Sequence, residues 1–253
     1  MRPLPLILAF LLCAGISAGA QQAGSGPGPD SYLKAGIPSV DREWSGADYT
    51  RAAQVLSAGT VALPLYSDPQ GAALLRRFTS PDNLAFARNR TLPVRVRLRD
   101  NLQMFEGANT ILRLYYAAYA SKGQGMGAEM ASTLAFLVRS AGLTVGLVDE
   151  LLPALSGDDK YDAERMAALQ KINAGMTGMF VGAEITLTEP GSFSAGDRSL
   201  VLEAMAATLP QVKGTFTAAY RAQLRDKLLA DKAAFSGADD ARRLDGMIAE
   251  LGR

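Results

Sequence analysis

The sequence predicts an all-α protein, a single helical domain of about eight or nine helices around a central antiparallel helical hairpin. Apolar or aromatic side chains return at three- and four-residue steps, most clearly in Val94, Leu98, Leu102, Phe105, Leu112, Tyr116 and Tyr119. Helix-entry and helix-exit residues stand where such runs begin and end. No strand–turn–strand pattern competes with them along the chain.

The chain opens with Met1-Arg2, an apolar stretch from Leu4 to Ala14, and Ala18-Gly19-Ala20 before the polar Gln21-Gln22. That is the three-part pattern of a secretory signal peptide, so residues 1–20 are expected to be removed after Ala20. The apolar run is shorter than the roughly 20 residues a transmembrane helix needs. Cys13 follows Phe10-Leu11-Leu12, whereas a lipid-attachment site wants a small residue directly before the cysteine. Residues 21–40 read as a flexible leader: residues 21–30 carry no apolar side chain larger than alanine and proline to offset the entropy of ordering them. Residues 41–253 are the expected helical domain.

Trp44-Ser45-Gly46-Ala47-Asp48-Tyr49 carries the first strong helix start. Ser45 can cap, Asp48 can answer it in a capping box, and Trp44 can staple onto Tyr49. The predicted helix runs to Ala58 and stops at Gly59. Asp68-Pro69 and Ser80-Pro81 each place a capping side chain before a proline at the first helical position, and predict two short helices. The strict alternation of Val94-Arg95-Val96-Arg97-Leu98-Arg99 would also suit a strand, but the helical register continues past Asp100 and decides for a long amphipathic helix. Gly123-Gln124-Gly125-Met126-Gly127 breaks it. Further helices are predicted over residues 129–152, 161–187, 197–209, 215–234 and 237–251, with a loop over residues 153–160.

Composition closes several chemistries. The chain has no histidine, and its one cysteine, Cys13, lies in the expected signal peptide. The mature protein therefore has neither a disulfide nor Cys/His zinc chemistry nor the commonest general base, and no metal or cofactor is expected. With 26 basic against 25 acidic side chains, net charge supplies no long-range pull on a polyanion, and only a local patch can.

Such a patch is present. Arg76, Arg77, Arg88, Arg90, Arg95, Arg97 and Arg99 stand against the single acid Asp82. Guanidinium groups grip phosphate and carboxylate in a bidentate fork, so this segment is the candidate anion-binding site. The competing reading is internal neutralisation by Asp149, Glu150, Asp158, Asp159, Asp162 and Glu164.

Gly142, Gly146, Gly175, Gly178 and Gly182 lie in apolar helices, where each costs about 1 kcal/mol relative to alanine. Close packing of residues 129–152 against 161–187 would explain them, with Gly178 near Ala135 and Gly182 near Ala131; burial in a membrane is the alternative. The same register brings Glu129 and Glu184 to a similar height. Paired carboxylates of different environment are what acid–base cleavage of a glycan requires, although a salt bridge would account for Glu184 equally well. Trp44 can stack on a sugar or staple its helix, and Arg139 can bind an anion or extend to the domain edge. Ser31-Tyr32-Leu33-Lys34 lacks the Lys-Thr-Gly companion of penicillin-recognising enzymes, and Gly123-Gln124-Gly125-Met126-Gly127 lacks the preceding strand of a nucleotide loop.

These observations imply an exported protein, periplasmic or extracellular, with no transmembrane segment in its mature form. They point to a non-catalytic binding or interaction protein of the bacterial cell envelope, meeting an anionic lipid, a cell-wall polymer or an acidic protein and no nucleotide. The alternatives are a carboxylate-dependent hydrolase of cell-wall glycan at Glu129 and Glu184, and a structural subunit of an envelope complex.

Overall fold

The computed structural model describes residues 31–122, 125–154, 163–188 and 191–252. The expected signal peptide, the first part of the leader and the 155–162 loop lie outside the described residues. Among those described, regular structure is entirely helical. In chain order the α-helices are α1 Ser31–Lys34, α2 Gly46–Ser57, α3 Pro69–Phe78, α4 Ala85–Arg88, α5 Val94–Lys122, α6 Gly127–Leu151, α7 Ala163–Thr188, α8 Ala195–Val212, α9 Ala218–Asp231 and α10 Ala238–Leu251.

The start signals act locally, as their chemistry requires. The Ser45 N–H and hydroxyl both donate to Asp48, each at 2.8 Å, and the Trp44 ring meets Tyr49 edge-on at 5.6 Å between centroids. Gly59, at φ +67°, takes the left-handed turn that ends α2. Asp68 accepts from the Gly71 N–H at 2.6 Å and starts α3. Ser194 and Asp197 form a second capping box at the head of α8. One predicted start is displaced. The helix expected from residue 215 begins at Ala218, because Thr217 accepts from the Tyr220 N–H and is the true cap.

Residues 31–40, read from sequence as leader, are held to the domain. Tyr32 and Ile37 are buried, Ser39 accepts from the Trp44 indole N–H, and Val40 accepts from Arg77. Apolar side chains there act as anchors.

One continuous core runs from Tyr32 to Leu251. Its centre is α6, where a row of buried residues from Glu129 to Val138 leaves no side open to solvent. This helix is apolar and long enough to cross a bilayer, yet 78% of its most apolar stretch is enclosed by the other helices. The expected 129–187 hairpin does not organise the fold. The heaviest packing of α6 is against α8 and α5; α7 touches α6 over a smaller surface and leans more on α8. On the other side, α5 packs against α2, joined to the centre by an aromatic cluster of Trp44, Tyr49, Phe78 and Phe136. The outer helices α9 and α10 pack on each other, with α10 against α8.

The glycine reading is corrected with it. A methyl group at Gly142 would lie 2.6 Å from the Thr208 side chain, so close contact does explain this residue, but its neighbour is α8. At Gly146, Gly175 and Gly182 the same methyl would meet nothing within 4 Å.

Candidate anion-binding site

The arginine segment divides by helix geometry. Side chains two apart on an α-helix point roughly 200° from one another, and four apart about 40°. Arg95 and Arg99 therefore share one face of the first turns of α5, and both are exposed, while Arg97 points the other way and is only 3% exposed.

Arg97 is a correction to the predicted site. Its Nε donates to the Leu92 carbonyl at 3.1 Å, one terminal nitrogen donates to the Ala87 carbonyl at 3.3 Å, and the other pairs with Glu150 in the last turn of α6. A cation there also complements the α6 dipole. The guanidinium thus ties the 87–92 segment, the head of α5 and the end of α6 together. Internal neutralisation by the acidic segment holds for Arg97, through Glu150, while Asp158, Asp159 and Asp162 lie outside the described residues.

What Arg97 holds from below carries charge above. Arg88 ends the single turn α4, and Arg90 sits at the tip of the connection to α5; both are exposed. The connection is a hydrogen-bonded turn: Asn89 Oδ1 accepts from the Thr91 N–H at 3.1 Å and from the Thr91 hydroxyl at 2.7 Å, and the Leu92 N–H donates to the Asn89 carbonyl. Arg88, Arg90, Arg95 and Arg99 make no ion pair among the described residues. Some cations elsewhere do pair, as in Arg42–Asp48, Lys227–Glu184 and Arg243–Asp240, and others, such as Arg51 and Arg77, meet only a carbonyl.

Positive charge predominates locally, the acids of the same stretch being Asp82 and Asp100, of which Asp100 accepts from the Gly46 N–H. The first turn of α5 holds no acid, so Arg95 lies where the helix dipole is positive, an arrangement that costs roughly 0.3–1 kcal/mol and that a bound anion relieves. Phe86, 39% exposed, lies on α4, the short helix that ends at Arg88 and packs against α5. Leu84 and Ala87 turn inward from the same segment and leave Phe86 on its outer side. Sequence alone does not separate Phe86 from the core aromatics, since its outward placement depends on which side of a four-residue helix meets the body.

Arg76 and Arg77 belong to a different setting. Both stand in the last turn of α3, where a cation complements the dipole; Arg77 is partly buried and donates from Nε to Val40, while Arg76 is exposed.

The other candidates have structural partners. Buried Glu129 accepts from the Tyr66 N–H at 2.8 Å and holds the turn before α3; burial and this carboxylate together push the Tyr115 phenol up. Buried Glu184 is gripped by Lys227 Nζ at 2.7 and 2.9 Å. Among the described residues no hydrogen bond joins the two carboxylates. Trp44 is buried as the staple, and Arg139 pairs with Glu203 of α8 at 2.9 Å. The small void beneath Trp44, lined also by Leu56, Leu75, Phe78 and Ile111, is apolar and of about 10 Å³, a gap in core packing. No group of acidic, histidine or cysteine side chains suited to a metal occurs among the described residues.

Compared with family models, with curated proteins and with solved structures, the chain has no match.

Proposed function

We propose that this chain is an exported, non-catalytic binding protein of the cell envelope that engages an anionic partner through Arg88, Arg90, Arg95 and Arg99. The observation that carries the reading is the clustering of charge: these four guanidinium groups are exposed and without an ion pair among the described residues, close together in the chain, while Arg97 between them turns inward to Glu150. Arg97 is assigned a positioning role, fixing the turn that displays Arg88 and Arg90. Export rests on the amino-terminal apolar stretch and the small residues before Gln21.

The test uses polyphosphate, a soluble polyanion. Binding is expected at low ionic strength and should fade as salt screens it. Replacing Arg88, Arg90, Arg95 and Arg99 together by glutamine should weaken binding about a hundredfold, since four exposed charge pairs at about 0.7 kcal/mol each remove two factors of ten. Unchanged affinity in the quadruple variant would remove the reading.

A further inference from the structure

Resting on that reading, we infer that the anionic partner is a phospholipid surface, with Phe86 entering the apolar layer while Arg88, Arg90, Arg95 and Arg99 meet lipid phosphates. Three large apolar side chains are exposed among the described residues: Leu33, Phe86 and Leu229. Leu33 lies on α1 and Leu229 on α9; the aromatic one stands within the basic segment. A soluble polyanion or an anionic polymer would use the arginines and leave the ring in water. A bilayer offers phosphates and hydrocarbon within one ring's reach of each other, and so uses both.

Rigidity supports the same occupant. Phe86 cannot fold back into the protein, because Leu84 and Ala87 already fill the inner side and the Ala87 carbonyl is held by Arg97. The Asn89 turn fixes the backbone at Arg90. Leu98, partly buried, flanks Arg95 and Arg99 along α5, so the patch borders apolar surface at its helical side as well. The backbone that carries ring and charges is ordered within the fold before any lipid arrives.

The experiment measures binding of the purified chain to phosphatidylcholine vesicles with and without phosphatidylglycerol, alongside polyphosphate. Vesicle binding should require phosphatidylglycerol and fall about fivefold for each arginine replaced by glutamine. Phe86→Ser should lose at least about tenfold more affinity for the anionic vesicles than for polyphosphate, as expected for removing a partly inserted ring. Phe86→Trp supplies a second readout: its fluorescence should shift to the blue on anionic vesicles, against the constant signal of the buried Trp44. Equal losses on vesicles and polyphosphate for Phe86→Ser, with no shift in Phe86→Trp, would overturn the lipid assignment in favour of a polymer or acidic protein while leaving the arginine site standing. Failure of the quadruple arginine variant to weaken binding to either probe would remove both.

Discussion

The crossing of α2 over α5 and the outer face of α7 both contain helical glycines, and they use them in opposite ways. At the crossing, a methyl group at Gly107 would lie 2.7 Å from the Tyr49 carbonyl oxygen, and one at Gly46 would lie 2.5 Å from the Asp100 carbonyl oxygen. Two helix backbones touch there with no side chain between them. The Gly46 N–H also donates to the Asp100 carboxylate at 2.8 Å, and the Thr50 hydroxyl closes on the Gly46 carbonyl. On α7, Gly175 and Gly182 face open space. The first glycines set a distance between helices; the second weaken the helix that carries them and obtain no contact in return.

The largest expected effect breaks the crossing. Gly107→Ala gains some helix propensity but drives a methyl into the Tyr49 backbone, which cannot rotate away as a side chain would. Overpacking of this kind costs about 2–3 kcal/mol, read as a fall in the urea midpoint with little change in slope. Stability equal to the parent would mean that α2 and α5 do not approach so closely in solution.

A smaller effect concerns the entry to α2 and appears only in acid. Arg42, donating to both Asp48 oxygens at 2.7 and 2.8 Å, pulls this carboxyl down to about 2, with the Ser45 N–H assisting. A carboxyl whose folded pKa is depressed stabilises the fold above its unfolded value and loses that contribution as pH falls, here between about pH 4 and pH 2. With Arg42 largely exposed, screening reduces the gain to about 1 kcal/mol. Asp48→Asn should therefore be less stable than the parent near neutrality and converge with it in acid. Asp100 works the other way: burial pushes its pKa up, so protonation relieves it. A constant gap between parent and Asp48→Asn from neutral to acidic pH would contradict the assignment.

How much of this was legible follows from the sequence distance to the partner. Ser45 and Asp48, or Asp68 and Gly71, lie within one turn of each other, so the helix starts could be read from adjacent letters. Arg97 meets Glu150 across 53 residues and Glu184 meets Lys227 across 43. Nothing local identifies such pairs, so seven arginines read as one patch and two buried carboxylates as a possible catalytic couple. Part of the arginine result was nonetheless in reach, because the helix chosen for residues 94–99 already sets Arg97 opposite Arg95 and Arg99; a strand would have put all three on one face. The glycines failed for the distance reason. Gly142 was expected to contact the next helix in sequence and instead meets Thr208 on the one after it. Helical periodicity says which face is buried, and it does not name the helix that buries it.

The smallest effect sharpens the contrast from the other side. Gly175→Ala and Gly182→Ala should each stabilise the protein by about 0.5–1 kcal/mol, because alanine narrows the unfolded ensemble and suits the helix interior, while the added methyl meets nothing within 4 Å. Thermal unfolding of the single and double variants checks this, and the two gains should add, since the residues lie seven apart on one helix with no shared partner. A loss of stability at either site would show that α7 is covered in solution, which would make its glycines contact residues like Gly107 and dissolve the distinction between the two regions.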